Sequence, residues 1–239
     1  MPRLTFTFIS SHDLQEPLRK IQSFSGRILL EEYDNLSDKG KYYVERTKLS
    51  AQHMQTLIND LLAYSRTTPT QRKFETSNLN KIVREAMASL KEEIQEKEAT
   101  IEVHVFSDVS IIPFQFRQLL QNIIANSLKF CLPEIKPHIT IKSNFIKYDA
   151  SNVDKLKLKK DHYHISVSDN GIGFDTKFKD KIFEIFQRLH SKGAYEGTGI
   201  GLTIVRKIVE NHNGIITASS KLNKGATFDI YIPAEQNTI

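Results

Sequence analysis

In the first 66 residues, apolar side chains recur with the spacing of a helix. Leu14, Leu18, Ile21, Phe24 or Ser25, and Ile28 follow one another at steps of four and three, and Leu49, Met54, Leu57, Ile58, Leu61 and Leu62 make a comparable stripe. Such spacing gathers apolar groups on one helical face, so the pattern predicts two long helices between about residues 6 and 66. The intervening Asp34-Asn35-Leu36-Ser37-Asp38-Lys39-Gly40 is polar and turn-forming, with Ser37 an N-cap for the second helix. Two helices alone cannot bury stripes this wide. Pairing with a second copy into a four-helix bundle would bury them; packing of the hairpin on the rest of its own chain is the alternative.

The pattern then changes. Thr67-Thr68-Pro69-Thr70-Gln71 reads as a linker, because proline cannot continue the helical hydrogen-bond ladder. Beyond it, the spacing predicts a helix over 79–97 capped by Ser77 or Asn78, a strand over 101–106, and a helix from Pro113 to Phe130. Strands follow over 138–146 and 163–167, joined by a charged hairpin. Helices around 180–189 and 201–212 come next, then a strand pair, 214–219 and 226–232, turning at Gly225. The expected fold class is α+β: a two-helix hairpin (1–67) forming a dimeric four-helix bundle, a linker (68–76), and an α/β sandwich (77–239).

Composition excludes several classes. A chain of 239 residues is long enough for a real core, and none of its apolar runs approaches the ~20 residues of a membrane span. The start, Met1-Pro2-Arg3-Leu4-Thr5, lacks the apolar stretch of a secretory signal, and the single Cys131 cannot form an internal disulfide. A cytoplasmic location is the expectation. The excess of 33 Lys+Arg over 28 Asp+Glu favours phosphate-bearing partners, but the charges are interleaved and form no nucleic-acid stripe. The richest cluster, Lys155-Leu156-Lys157-Leu158-Lys159-Lys160, reads as a solvated hairpin.

Three elements carry candidate chemistry. Asp169-Asn170-Gly171-Ile172-Gly173-Phe174 follows a predicted strand, and Gly197-Thr198-Gly199-Ile200-Gly201-Leu202 leads into a predicted helix. Glycines let a backbone approach a ligand closely, and amides at a helix start donate to phosphate oxygens. Neither cluster has the lysine of a phosphate-binding loop or the spacing of a dinucleotide fingerprint, and either alone is as readily a turn. In the third element, Asn122, Asn126 and Lys129 fall at steps of four and three on one helix face, while Leu119, Ile123, Ile124 and Leu128 can face a core. Amide oxygens suit magnesium and lysine suits phosphate; a solvent-facing polar stripe is the plain alternative.

Taken in order, these motifs resemble those of the sensor histidine kinases of two-component systems. They match that family's N box (Asn122, Asn126, Lys129), G1 box (Asp169, Gly171, Gly173), F box (Phe183-Glu184-Ile185-Phe186) and G2 box (Gly197, Gly199, Gly201). Upstream, Ser11-His12-Asp13-Leu14-Gln15-Glu16-Pro17-Leu18 resembles the H box, most closely that of phytochrome-like and PAS-linked kinases. The resemblance covers nearly the whole chain.

It implies ATP and magnesium as cofactors and an autokinase activity. Asp169 would accept a hydrogen bond from the adenine amino group, Asn126 and Asn122 would hold magnesium, and Lys129 would contact phosphate. Gly197, Thr198, Gly199, Gly201 and Leu202 would close near the phosphates, Arg188 would lie near the γ-phosphate, and 175–198 would be a mobile lid. His12 would be the phosphoacceptor, with Asp13 binding the proton on the other ring nitrogen. Pro17 frees the Asp13 carbonyl and would kink the helix beside His12. The implied partners are a second copy, a response-regulator receiver domain and an upstream sensor outside these residues, with no nucleic acid; the full-length protein could be membrane-attached.

Two departures from the family pattern stand out. Glu16 occupies a position where many members carry threonine or asparagine. A carboxylate cannot donate a hydrogen bond to a water, so weak or absent phosphatase activity is expected. Residues 107–116 also match poorly. The other histidines, His53, His104, His138, His162, His164, His190 and His212, lack metal-ligand spacing and are assigned no role. Competing readings are an ATPase of the gyrase, mismatch-repair or heat-shock-chaperone kind, which lacks the H box, and a dimeric scaffold that binds nucleotide or receivers without phosphorylating.

Overall fold

The computed structural model describes residues 11–66, 73–104, 108–148, 158, 160–187, 189 and 198–236. Helix α1 (Ser11–Glu31) runs through Pro17, and after a single 3-10 turn at Tyr33–Asn35 helix α2 (Asp38–Arg66) begins. Its start is capped as the sequence specifies: the Gly40 amide donates to Ser37 Oγ at 3.1 Å. The helices form a hairpin, so residues near the open end meet, and Gln15 Nε2 donates to Asn59 Oδ1 at 2.8 Å. Leu18 and Ser25, seven residues apart on α1, are buried, as is Ala51 on α2. Ile21, Phe24 and Ile28 make a second stripe, and it stays 41%, 61% and 38% exposed.

The chain divides into two compact units, residues 1–66 and 67–239. The second contains β1 (Glu75–Asn78), α3 (Leu79–Ala88), α4 (Lys91–Glu96), β2 (Thr100–His104), β3 (Asp108–Ile111), α5 (Pro113–Lys129), β4 (His138–Ile146), β5 (His162–Asp169), α6 (Gly201–Asn211), β6 (Ile215–Ser220) and β7 (Ala226–Pro233). Five strands form one sheet in the order β2-β4-β5-β7-β6, antiparallel except for the β2–β4 pair. Alternation puts Ile139, Ile141, Ile165, Val167, Phe228, Ile230 and Ile232 on its buried side. Leu119, Leu120, Ile123, Ile124 and Leu128 of α5 and Ile204, Val205, Ile208 and Val209 of α6 are buried with them. The result is a two-layer α/β sandwich.

His212, just past α6, ties the end of that helix to the start of α5. It is fully buried; its Nε2 accepts the Ile112 amide at 2.9 Å and its Nδ1 donates to the Ile208 carbonyl at 2.7 Å. Phe74 and Phe116 meet its ring edge-on, with centroids 5.5 and 5.6 Å away. The sequence reading gave this residue no role, because its partner amide is 100 positions away.

The structure corrects the predicted elements in three places. The helix expected over 79–97 is two: Asn78 Oδ1 caps α3 by accepting the Lys81 amide, and the chain breaks at Ser89 and Leu90, whose amide bonds back only to Met87. The helix expected around 180–189 is a 3-10 turn at Lys181–Phe183. Glu184 is extended and Phe186 sits at φ +61°, which no α-helix continues through. Finally, β1 and β3 pair antiparallel, so Glu75 and Thr76, read as linker, are strand residues. The linker at 67–71, most of the lysine-rich cluster, and 105–107 lie outside the described residues. Among the described residues no helix is long and apolar enough to cross a membrane.

Candidate functional site

Helix α5 opens on Pro113, whose missing amide costs nothing in a first turn. Its apolar side enters the core, which fixes the opposite register of Asn122, Asn126 and Lys129 along one partly exposed face. Lys97 Nζ donates to the Leu128 carbonyl at 2.9 Å, satisfying one of the acceptors that a helix end leaves over. Lys129 Nζ lies 4.6 Å from the centroid of the Phe130 ring.

Asp169 ends β5 at the edge of this helix. Its Oδ1 accepts the Gly171 amide at 2.9 Å and the Ala226 amide at 3.1 Å, and Ser127 Oγ donates to Oδ2 at 3.1 Å. Burial pushes the Asp169 carboxyl above its ordinary pKa, against the pull of these three donors. The loop that follows is stitched on both sides. The Ile172 amide donates to the Phe130 carbonyl at 2.9 Å, and the Asn223 amide donates to the Ile172 carbonyl at 2.7 Å. A Cβ on Gly171 would lie 2.4 Å from the Phe130 oxygen. Gly173 sits at φ +59°, with the Lys221 oxygen 2.3 Å from where its Cβ would be, so no other residue fits. Asn170 turns away from this loop: its Oδ1 accepts the His138 amide and its Nδ2 donates to the Lys136 carbonyl.

The second cluster approaches from α6. Thr198 is buried and its Oγ1 accepts the Ile200 amide at 3.3 Å; Gly201 and Leu202 open the helix, whose N-cap Ile200 makes no side-chain cap bond. A helix start without a side-chain cap offers its first amides to an anion. A Cβ on Gly201 would lie 3.5 Å from Asn122 Oδ1, so the α5 asparagine face and the α6 start are neighbours. Gly199 packs against the backbone of Phe186 and Gln187. Of the F box, Phe183 is buried whereas Ile185 and Phe186 are exposed. Arg188 and Gly197 lie outside the described residues; His12 and Asp13 fall in the first turn of α1.

One domain therefore gathers Asn122, Asn126, Asp169, Gly171, Gly173, Thr198, Gly199, Gly201 and Leu202 around the ends of β5 and α5 and the start of α6. Sequence reasoning missed Ser127, and it placed a turn at Gly225 without giving that turn a role at Asp169. A serine between buried positions of an apolar helix face was the available signal for the first. No group of three or more His, Cys, Asp or Glu side chains suited to a metal ion occurs among the described residues. Neutral amide oxygens from Asn122 and Asn126, one turn apart, fit magnesium, which keeps most of its shell as water and phosphate.

Comparison with known proteins gives the two units their family. Residues 112–236 match the family model of the histidine kinase-, DNA gyrase B- and HSP90-like ATPases, and residues 3–70 match that of the His Kinase A phospho-acceptor domain. Cyanobacterial phytochrome A of Nostoc is 37% identical over 95% of this chain and 28% of its own length. The phytochrome-like protein Cph1 of Synechocystis is 35% identical over 95% and 29%. The chain thus spans under a third of these curated relatives. Full-length ShkA, crystallised with AMPPNP, has the same fold with a TM-score of 0.66 at 20% identity, over 96% of this chain and 45% of that one. The catalytic domain of the histidine kinase ThkA aligns at 26% identity and a TM-score of 0.53, over 68% of this chain and 96% of that one. With a phospho-acceptor hairpin ahead of an ATPase-type sandwich in one polypeptide, the chain belongs to the sensor histidine kinases and comprises a catalytic core of that family.

Proposed function

We propose that this chain phosphorylates itself on His12 with ATP and passes the phosphoryl group to an aspartate of a response-regulator receiver domain. The observation that carries the reading is the pairing of a half-buried, donor-held Asp169 with an asparagine face on α5 that adjoins the start of α6. Asp169 would accept the adenine amino group. Lys129, Arg188 and the residues from Gly197 to Leu202 would hold the phosphates, with the loop of Gly171 and Gly173 beside them. Asn122 and Asn126 would hold magnesium, which supplies charge neutralisation at the transferred phosphoryl group.

In the transfer, one ring nitrogen of His12 forms a bond to the γ-phosphorus as the bond to the β–γ bridging oxygen breaks. ADP leaves with that electron pair. Asp13 binds the proton on the other nitrogen and stabilises the imidazolium. The protein's share is positioning and electrostatics. The hairpin (1–67), joined to the ATP-binding domain by a linker that ends where β1 begins at Glu75, works as a homodimer, with the upstream sensor as input. No nucleic acid takes part, and the catalytic core acts in the cytoplasm.

The test is incubation with γ-labelled ATP and magnesium of the wild type, His12→Gln and Asn126→Ala. Acid-labile, base-stable label on the wild type alone is the expected result. Label persisting in His12→Gln would move the acceptor elsewhere, and a wild type that binds ATP without taking up label would refute the autokinase reading.

A further inference from the structure

Among the described residues, every group bonded to the Asp169 carboxyl is a donor. The Gly171 and Ala226 amides hold Oδ1, and the Ser127 hydroxyl holds Oδ2. The two amides have no alternative polarity, whereas the hydroxyl is a side chain the sequence could have omitted. Ser127 is 3% exposed and stands on α5 beside Ile123, Ile124 and Leu128, all fully buried. An apolar residue would suit that place in the core as well, so the hydroxyl's hydrogen-bond partner, Asp169, gives the serine its purpose.

We infer that Ser127 is a positioning residue for base selection: by donating to Oδ2 it keeps Asp169 an acceptor, so the site favours a 6-amino purine over a 6-keto one. The inference rests on the reading of Asp169 as the base contact. The physical reason is the difference in strength between two hydrogen bonds. A hydroxyl bonded to an ionised carboxylate gains more than one bonded to a neutral acid, so Ser127 favours the form of Asp169 that has no proton to offer. Burial pushes the other way and raises the pKa of the group. Among the described residues, its neighbours supply no compensating charge: Ser127 comes from α5, Gly171 from the loop, Gly225 and Ala226 from the turn into β7, and Ile139 is its register partner on β4. None of these titrates. The 6-amino group of adenine donates to a carboxylate; the 6-keto oxygen of hypoxanthine meets it lone pair to lone pair, and accepts a hydrogen bond only from the protonated acid.

The experiment measures equilibrium binding of ATP and of inosine triphosphate, at one pH and magnesium concentration, to the full chain and to Ser127→Ala, Ser127→Thr and Asp169→Ala. The ratio of the two affinities cancels the phosphate contacts and the folded fraction. Ser127→Ala should lower the ATP preference about tenfold, the size of one charge-assisted hydrogen bond. Ser127→Thr, which keeps the hydroxyl, should restore it, and Asp169→Ala should abolish it. Equal losses of both nucleotides in Ser127→Ala would reduce Ser127 to a packing residue and overturn the inference. So would an unchanged ratio, with Asp169→Ala still abolishing the preference. An Asp169→Ala that keeps its full ATP preference would instead remove the reading of Asp169 itself.

Discussion

Replacing Gly225 by alanine tests whether the β6–β7 turn governs the nucleotide site from outside it. Gly225 sits at φ +86°, and a Cβ there would lie 1.8 Å from the Asp169 carbonyl oxygen and 2.7 Å from its carbon. Both obstacles are backbone, so no side-chain rotation relieves them. Real Cβ contacts stop near 3.0 Å, so β5 or the turn must move by more than 1 Å, against the register that pairs Ser168 with Thr227. The left-handed backbone costs about 1 kcal/mol for alanine, and overpacking of this kind costs about 1–3 kcal/mol more. A total near 3 kcal/mol should lower the melting temperature by on the order of 10 °C. Nucleotide binding should fall further than stability does, because the displacement acts on the residue whose Oδ1 accepts the Ala226 amide. The assay is thermal unfolding with and without ATP and magnesium, where ligand bound by the native state raises the transition. Gly26→Ala serves as the control: nothing lies within 4 Å of its Cβ position in α1, and the substitution should gain up to about 1 kcal/mol. A Gly225→Ala protein that melts with the wild type and keeps its ATP shift would refute the steric argument.

Asp169→Asn should separate stability from function. Because burial raises the folded-state pKa, the nucleotide-free domain loses stability as pH rises through that value, while ATP binding is lost as pH falls through it. The amide keeps an acceptor for Gly171 and Ala226 without the desolvated charge, so the free domain should gain about 1 kcal/mol at neutral pH and flatten its pH–stability profile, yet bind ATP about a hundredfold less tightly; a destabilised variant would contradict this. His212→Ala orphans the Ile112 amide and leaves a cavity between Phe74 and Phe116; urea unfolding should register a loss of about 3–5 kcal/mol, and a loss under 1 kcal/mol would argue against the buried clip. Phe24→Glu with Ile28→Glu places charges on the exposed stripe of α1 and should turn a dimer into a monomer by sedimentation; a dimer that persists would move the interface elsewhere.

The parts of this protein legible in its sequence are those set by neighbours a few residues apart. Helical periodicity placed α1, α2, α5 and α6 because a helix repeats its face every three to four residues, so one buried side writes itself along the chain. Ser37 announced the start of α2 for the same reason, since its bond to the Gly40 amide spans three residues. The glycine clusters were visible because close backbone approach admits no side chain, as the 2.3 Å gap at Gly173 demonstrates.

The tertiary structure decided what depends on distant partners. Short strands such as β1 and β3 have little pattern of their own and exist by pairing with each other. The 180–189 stretch carries apolar residues at helical spacing, yet burial of Ile182 and Phe183 and the left-handed turn at Phe186 hold it out of a helix. The setting of Asp169 comes from Ser127 and Ala226, 42 and 57 positions away, and the clip at His212 from an amide 100 positions away. Amino-acid type supplies the donors and acceptors locally; only close packing of the sheet against α5 and α6 removes the water that would otherwise satisfy them, and so chooses which of them meet.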